Sequence, residues 1–342
     1  MKMLKEKLAE YIDNLKREGC EKLPPDRKLC DIFNVSRPTI MKELARLTGE
    51  GVIVRKKGSG TFISEKDPVK LSKAIGAGFR NALYYPDNDH FLKIVNNISM
   101  NCQDLNIELQ LFDRLKDMFA RNDSDNTLLK NINTGILDGF LFGSRMPIDI
   151  ASIISRKIPV VSLNNIIDTS EIASVSCDFF SAGHMAAEYL CEMGHREIGL
   201  MAGDQNHPEV WKNISAIKKV FQRQNISFNP DNLAIIKGAP DNKLRKIKDF
   251  INKRKVTAIY FINDILPQSL NSLAALNDIS IIVSGNLGNC ERYGITSIDT
   301  KIEEVCKTGV KLLSDKINGL KIKNNYILIE PEIIERGSVR KI

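Results

Sequence analysis

The feature that most narrows the fold is an alternation. Short apolar runs recur at GFLF (139–142), IPVVSLN (158–164), EIGLMAG (197–203), AIYFIN (258–263) and ISIIVSG (279–285). Stretches at helical spacing fill the gaps, among them HFLKIVNNISMNCQDL, AGHMAAEYLCEMG, ISAIKKVFQRQ and KLRKIKDFINKR. Repeated strand–helix units need crossover connections, which give parallel sheets covered by helices on both faces. About 270 residues in this pattern suit two such lobes.

The first fifth of the chain follows another rule. Leu4, Leu8, Tyr11, Ile12 and Leu15 recur at helical spacing, and Lys16, Arg17 and Gly19 close the segment. In LPPDRKLCDIF, Pro24 and Pro25 break the chain and then suit a helix start, with Leu29, Ile32 and Phe33 inward. Asn34 and Val35 make a short turn. Ser36 can cap a third helix, and Pro38 sits in its first turn, where a missing N–H costs little. Ile40, Leu44 and Leu47 form its apolar side, and Gly49 to Gly51 end it. VIVRKKGSGTFIS then reads as two strands around a basic, glycine-rich turn. Three helices and a hairpin in about 65 residues predict a winged helix-turn-helix. SEKDPVKLS (64–72) is polar, carries Pro68 and reads as a linker.

Charge points the same way. Residues 1–66 hold 15 Lys and Arg against 10 Asp and Glu, so +5 of the chain's +7 lies there. A winged helix places the second helix of its motif in the major groove, where Ser36, Arg37, Pro38, Thr39 and Lys42 would meet base edges. Arg can donate two hydrogen bonds to guanine, and Thr offers both a hydroxyl and a methyl group. Arg27 can clamp the phosphate backbone. Lys57, Gly58, Ser59 and Gly60 form a tip able to lie against a groove, the glycines allowing close approach. Each of these alone also reads as a solvated charge or a tight turn. Their order and spacing together favour DNA.

Residues 23–64, LPPDRKLCDIFNVSRPTIMKELARLTGEGVIVRKKGSGTFIS, are similar throughout to the DNA-binding domain of the GntR family. Leu23, Pro24, Arg27, Leu29, Val35, Ser36, Arg37, Thr39, Leu47, Gly51, Gly58, Gly60, Thr61 and Phe62 carry the resemblance. It implies that Arg27, Arg37, Thr39 and the wing tip contact DNA. Pro38 departs where a hydroxyl or amide side chain is common, and Met41 departs where arginine is frequent. The family's base preference is therefore not carried over.

The remainder resembles the LacI/GalR effector domain, whose fold is that of periplasmic sugar-binding proteins. The blocks are LDGFLF (137–142), IPVV (158–161), VSCDFFSAGHMAAEYLCEMGHREIGLMAG (175–203), IYFINDILPQSL (259–270), ISIIVSGN (279–286), ITSID (295–299) and ILIEPEIIERGSV (327–339). The pairing of the two parts is similar to the arabinose-repressor (AraR) branch of GntR proteins. The expected fold is thus multi-domain: an α+β winged helix over 1–65, a linker over 66–72 and a bilobed α/β periplasmic-binding-protein-like domain over 73–342. Its first lobe is expected over about 73–191 and 298–324, its second over about 192–297 and 325–342. The implied function is a ligand-responsive repressor of carbohydrate uptake or metabolism genes. Its partners would be a near-palindromic double-stranded DNA operator, met as a homodimer, and a small sugar effector.

Ligands in open α/β sheets lie beyond the carboxyl ends of strands. Asp178 follows VSC, Asn263 and Asp264 follow IYFI, and Asn286 follows IIVSG. Carboxylates and amides suit sugar hydroxyls, although Asp and Asn are also ordinary turn residues. Alignment with the family puts Asn213 where a sugar-clamping arginine stands and Asn286 where an aspartate is usual. A strongly anionic ligand thereby loses its arginine, which Arg80 or Arg145 could replace from the first lobe. Trp211, the only tryptophan, can stack on a sugar face or be a core or surface aromatic.

Other classes fit poorly. Seven scattered cysteines without CxxC and four histidines without metal-ligand spacing give no disulfide framework, metal or cofactor. No long apolar run marks a membrane span, and the charged start lacks a secretory signal, so a cytoplasmic protein is expected. IGAGFRN (75–81) lacks the third glycine of a dinucleotide loop, and no GxSxG, P-loop or Cys–His pairing supplies catalytic residues. The alternatives are a repressor that no longer senses a small molecule, or a sugar-binding protein or enzyme with a basic N-terminal domain.

Overall fold

Each helix of the first domain buries the face that its spacing marks. In the computed structural model, α1 (Leu4–Arg17) buries Leu8 and Ile12, α2 (Asp26–Phe33) buries Leu29, and α3 (Arg37–Gly49) buries Ile40, Leu44 and Leu47. Asn34 takes the left-handed conformation (φ 51°) and ends α2, and the Val35 N–H returns to the Cys30 carbonyl. The chain is thereby turned into α3 within three residues. Strands β1 (Ile53–Lys56) and β2 (Gly60–Ile63) pair antiparallel, Lys56 opposite Gly60. The connector between α1 and α2 is bound to this wing, with Leu23 N–H on Thr61 O at 2.9 Å and Ile63 N–H on Glu21 O at 2.8 Å. The residues described are 4–49, 51–56, 58–64, 73–79, 89–120, 126–167, 169, 171–203, 207–236, 240–262, 279–322 and 324–342. Lys57, Arg80, Asn263, Asp264 and the linker 66–72 lie outside them.

The rest forms two six-stranded sheets. In the first, β3 (Lys73–Gly78), β4 (Ile107–Phe112), β5 (Gly139–Phe142), β6 (Val160–Leu163), β7 (Ile172–Cys177) and β13 (Tyr326–Ile329) are ordered β13-β7-β6-β5-β3-β4, every neighbour parallel. Strand alternation sends Leu141, Val161, Leu163 and Val175 toward α4 (Asp89–Asp104) and α12 (Ile302–Ile317). Phe140, Phe142, Val160 and Ile172 go to the face covered by α5 (Leu115–Ala120), α6 (Thr127–Asn133) and α7 (Ile148–Ser155). The central strands β5, β6 and β7 are buried on both faces, so they read as continuous apolar or small-residue runs.

The second sheet orders β8 (Ile198–Ala202), β9 (Leu233–Ile235), β10 (Ala258–Ile262), β11 (Ser280–Ser284), β12 (Thr296–Asp299) and β14 (Glu332–Ile334) as β14-β12-β11-β10-β8-β9. Only β14 runs antiparallel to its neighbour. Helices α8 (Phe179–Glu192) and α9 (Pro208–Arg223) cover one face, α10 (Pro240–Lys253) and α11 (Gly288–Arg292) the other.

The lobe boundaries differ from the expected ones. Ala182, Ala186, Leu190 and Cys191 of α8 pack in the second lobe's core, and β13 pairs with β7 of the first. The chain therefore crosses at Asp178, at residues 300–301 and at residues 330–331, not near 191, 298 and 325. A helix directly after a strand reads as part of the same sheet, which is why the sequence assigned α8 to the first lobe.

Two contacts fix the second lobe. A side chain at Gly183 of α8 would place its first carbon 2.5 Å from Asn213 O and 2.6 Å from Asn213 Cα, so the backbones of α8 and α9 touch there. His195, 1% exposed, bonds Thr257 Oγ1 at 2.8 Å through Nδ1 and Arg340 O at 3.1 Å through Nε2. Burial lowers its pKa below the ordinary 6.5. Below pH 6.5 the unfolded chain takes up a proton that the folded chain resists, so stability falls as the pH drops through the lower folded value. Melting temperature should therefore decline between about pH 7.5 and about pH 5.5, and His195→Gln should show a smaller decline than wild type.

Candidate nucleic-acid interface and interlobe site

On α3 the buried stripe Ile40, Leu44 and Leu47 turns the other side outward. Ser36, Arg37, Pro38, Thr39 and Lys42 are all exposed, as are Arg27 on α2 and Gly58, Ser59 and Gly60 at the wing tip. Pro38 lies in the first turn, where it breaks no helical bond, and Ile40 N–H bonds Ser36 O at 3.1 Å. The Ser36 and Thr39 hydroxyls are 2.7 Å apart. Gly58 (φ 76°) and Gly60 (φ 110°) occupy the left-handed region that the tip requires. Each described residue of the sequence-derived set is thus exposed, the Lys42 side chain reaching toward Gly135, where an added side-chain carbon would lie 3.4 Å from its Cε; Lys57 is outside the described residues.

Sequence reasoning missed one pair that joins the wing to the helices. Arg55 of β1 bonds both carboxylate oxygens of Asp26 at 3.1 Å and lies 3.6 Å from the Met41 sulfur. Asp26 and Arg55 are 29 residues apart, so no local spacing announces them.

The expected effector residues divide. Asp178 stands at the first crossing and caps α8: Oδ1 accepts from Phe180 N (3.0 Å) and Ser181 N (3.2 Å), Oδ2 from Ser181 Oγ (2.9 Å). Asn286 follows β11, and its Oδ1 accepts from Arg336 Nη2 at 2.7 Å and Ser297 Oγ at 3.3 Å. Its Nδ2 donates to Asp299 Oδ2 at 3.3 Å. Arg336, which the sequence did not flag, also bonds Ile295 O and Ser297 Oγ. Trp211 is 50% exposed on the first turns of α9, so it is not a core residue. Arg145 is exposed just beyond β5. Asn263 lies outside the described residues.

Asn213 does not fit its expected role. It is 1% exposed, its Nδ2 donates to Glu209 O at 3.0 Å, and its Oδ1 accepts from Tyr260 Oη at 2.9 Å. Ser284 bonds the same phenol, which burial pushes above its ordinary pKa. Asn213 is a buried tie between α9 and β10, and its satisfied amide offers a ligand no open surface.

Carboxylates from several segments act on one buried thiol. The Cys177 thiol, buried at the end of β7, has its pKa raised first by burial and then by Glu209, Asp178, Asp299 and Glu330. These carboxylates belong to segments from both lobes. Glu209 also lies 3.2 Å from His207 Nδ1.

Comparison with known proteins bears on both parts. Residues 1–63 match the bacterial regulatory proteins of the gntR family, and residues 149–295 match the periplasmic binding protein domain. The chain joins a GntR-type DNA-binding domain to a periplasmic-binding-protein-like domain. The HTH-type transcriptional repressor CytR of Escherichia coli K12 is 26% identical over 239 residues, covering 66% of this chain and 70% of CytR. A LacI family transcriptional regulator from Enterococcus faecium with bound ribose superposes with a TM-score of 0.66 at 20% identity, over 79% of this chain and all (100%) of that one. A periplasmic binding protein/LacI transcriptional regulator from Alkaliphilus metalliredigens complexed with D-xylulofuranose gives 0.61 at 21% identity, over 78% and 98%. These two structures establish the fold of the periplasmic-binding-protein-like part.

The buried tie predicts a stability effect. Tyr260→Phe removes the donor to Asn213 Oδ1 and the phenol that Ser284 bonds, and should cost about 1–3 kcal/mol in denaturant unfolding. A loss near zero would show that the tie is not formed.

Proposed function

We propose that this chain is a ligand-responsive, DNA-binding transcriptional repressor acting in the cytoplasm. The carrying observation is the outward set Ser36, Arg37, Pro38, Thr39 and Lys42 on a helix whose opposite side is core. Those residue types suit base edges and phosphates, and the free N–H groups of the α3 start favour an anion. Arg27 and the wing tip, with Lys57, would hold the backbone on either side. The relative named above is a repressor rather than an enzyme, and this reading assigns no catalytic residue.

The effector is a small neutral sugar or polyol. Carboxylates Asp178, Glu209, Asp299 and Glu330 act on Cys177, and the nearby cations Arg336 and Lys301 are already engaged, Arg336 by Asn286 and Ser297 and Lys301 by Glu332, which favours a neutral ligand. Two related folds carry pentose-type ligands. Asp178 retains acceptor capacity on Oδ2, Asn286 retains one amide proton, and exposed Trp211 offers an aromatic face. Arg145 and Asn263 belong to the same proposed site by their places after β5 and β10.

A homodimer on a near-palindromic operator completes the reading. Leu92 and Met100 on α4, Leu105 after it, and Leu111 on edge strand β4 are 44%, 63%, 47% and 53% exposed, an apolar surface suited to a second copy. The arrangement of modules accords with the arabinose-repressor branch.

One observation favours a second reading, a repressor that has lost sensing. Asn213 is buried, and most of the Asn286 amide is engaged by Arg336, Ser297 and Asp299. A thermal-shift panel of pentoses and hexoses separates the two. The sensing repressor gives a concentration-dependent rise with at least one sugar; no rise with any of them favours lost sensing.

DNA binding is tested on a duplex from the chain's own upstream region. Arg37→Ala should weaken binding by about 1–3 kcal/mol and relax base preference at one position. Absent or salt-insensitive binding by the wild type would remove the repressor reading.

A further inference from the structure

Arg55 stands among the cationic residues of the DNA face, yet its charge is already engaged. Its Nη2 is 3.1 Å from each Asp26 oxygen, and both terminal nitrogens lie 3.6 Å from the Met41 sulfur. The three side chains come from three elements: Asp26 opens α2, Met41 lies on α3 one turn beyond Arg37, and Arg55 lies on β1. Arg55 and Asp26 are 33% and 26% exposed, so water and DNA can still reach the pair. Asp26 suits the positive end of α2 but would repel a phosphate if left uncompensated. Met41 is 37% exposed, and its sulfur lies against the Arg55 guanidinium.

We propose that Arg55 is a positioning residue, clamped by Asp26 away from phosphate, that holds Met41 in place to read a thymine methyl in the major groove. The proposal rests on the DNA-binding reading above. A guanidinium fixed at its carboxylate supplies a rigid wall for a thioether, which is otherwise among the most adaptable of side chains. An apolar side chain at a base edge selects thymine through its C5-methyl group. The pair also removes one positive and one negative charge from the face, so Arg55 adds nothing to counterion release.

The test is a salt-dependent titration of a duplex enriched from random DNA by the wild-type protein. Arg55→Ala should weaken binding about three- to fivefold, the size of a partly exposed ion pair, with an unchanged slope of log affinity against log salt. Asp26→Asn frees Arg55 and should steepen that slope by about one phosphate contact, while adding Arg55→Ala to Asp26→Asn returns it to the wild-type value. Replacing thymines one at a time by deoxyuridine should cost affinity at one position in the wild type and not in Met41→Ala. A slope that falls by about one in Arg55→Ala makes Arg55 a phosphate contact and overturns the proposal. So does an Asp26→Asn steepening that persists without Arg55, or equal deoxyuridine sensitivity in Met41→Ala. If the wild type enriches no duplex at all, the DNA-binding reading itself falls and the proposal with it.

Discussion

The carboxylate of Asp178 ends one sheet and begins the other lobe. Its Oδ1 takes the first free N–H groups of α8, so the chain leaves β7 and enters a helix of the second core without an intervening loop. The other two crossings are as short, between β12 and α12 and between β13 and β14. At the second, Lys301 adopts a left-handed conformation (φ 51°), and its ammonium pairs with Glu332 beside the third. Three short connections confine any relative motion of the lobes to a few residues, as hinge closure requires. The parallel order of both sheets comes from the helices that connect successive strands; of the two strands that return after a crossing, β13 pairs parallel and β14 antiparallel.

This arrangement limits how an effector can act. A ligand near the strand ends changes the molecule only by preferring one lobe geometry over another, and the shift cannot exceed that preference. The wing of the first domain is tied to the rest of it by bonds and ring contacts. It is bonded to the α1–α2 connector through Leu23 and Ile63, and Lys22 and Lys56 stack 5.4 and 5.0 Å from the Phe62 ring centre. In the proposed dimer, a ligand would therefore act on the orientation of two such domains rather than by deforming one.

Much of the fold was legible because its signals are local. The stripe Leu8–Ile12, the turn at Asn34 and the stripe Ile40–Leu44–Leu47 each lie within one helical turn or two, and the apolar strands follow from burial on both faces. The lobe boundaries were not, because α8 follows β7 without a break although they serve different cores. The role of Asn213 depends on Tyr260, 47 residues away, and that of Asn286 on Arg336, 50 residues away. Such partners are set by sheet order, which spacing does not encode. Asp178 was open to two readings from its place after a strand, and its capping bonds now account for most of its acceptor sites.

The exchange of a charged anchor for Asn213 has a physical logic. The position sits where α8 and α9 touch backbone to backbone at Gly183, with the Tyr260 hydroxyl below it. A neutral amide satisfies both neighbours there: it accepts the phenol proton and donates to the Glu209 carbonyl. An arginine in the same shell would bring a buried charge that needs a desolvated counter-charge, which is costly without full pairing. The proposed recognition at the crossings would then use hydroxyl donors and an exposed indole rather than ion pairing, the chemistry that suits a neutral, polyhydroxylated ligand.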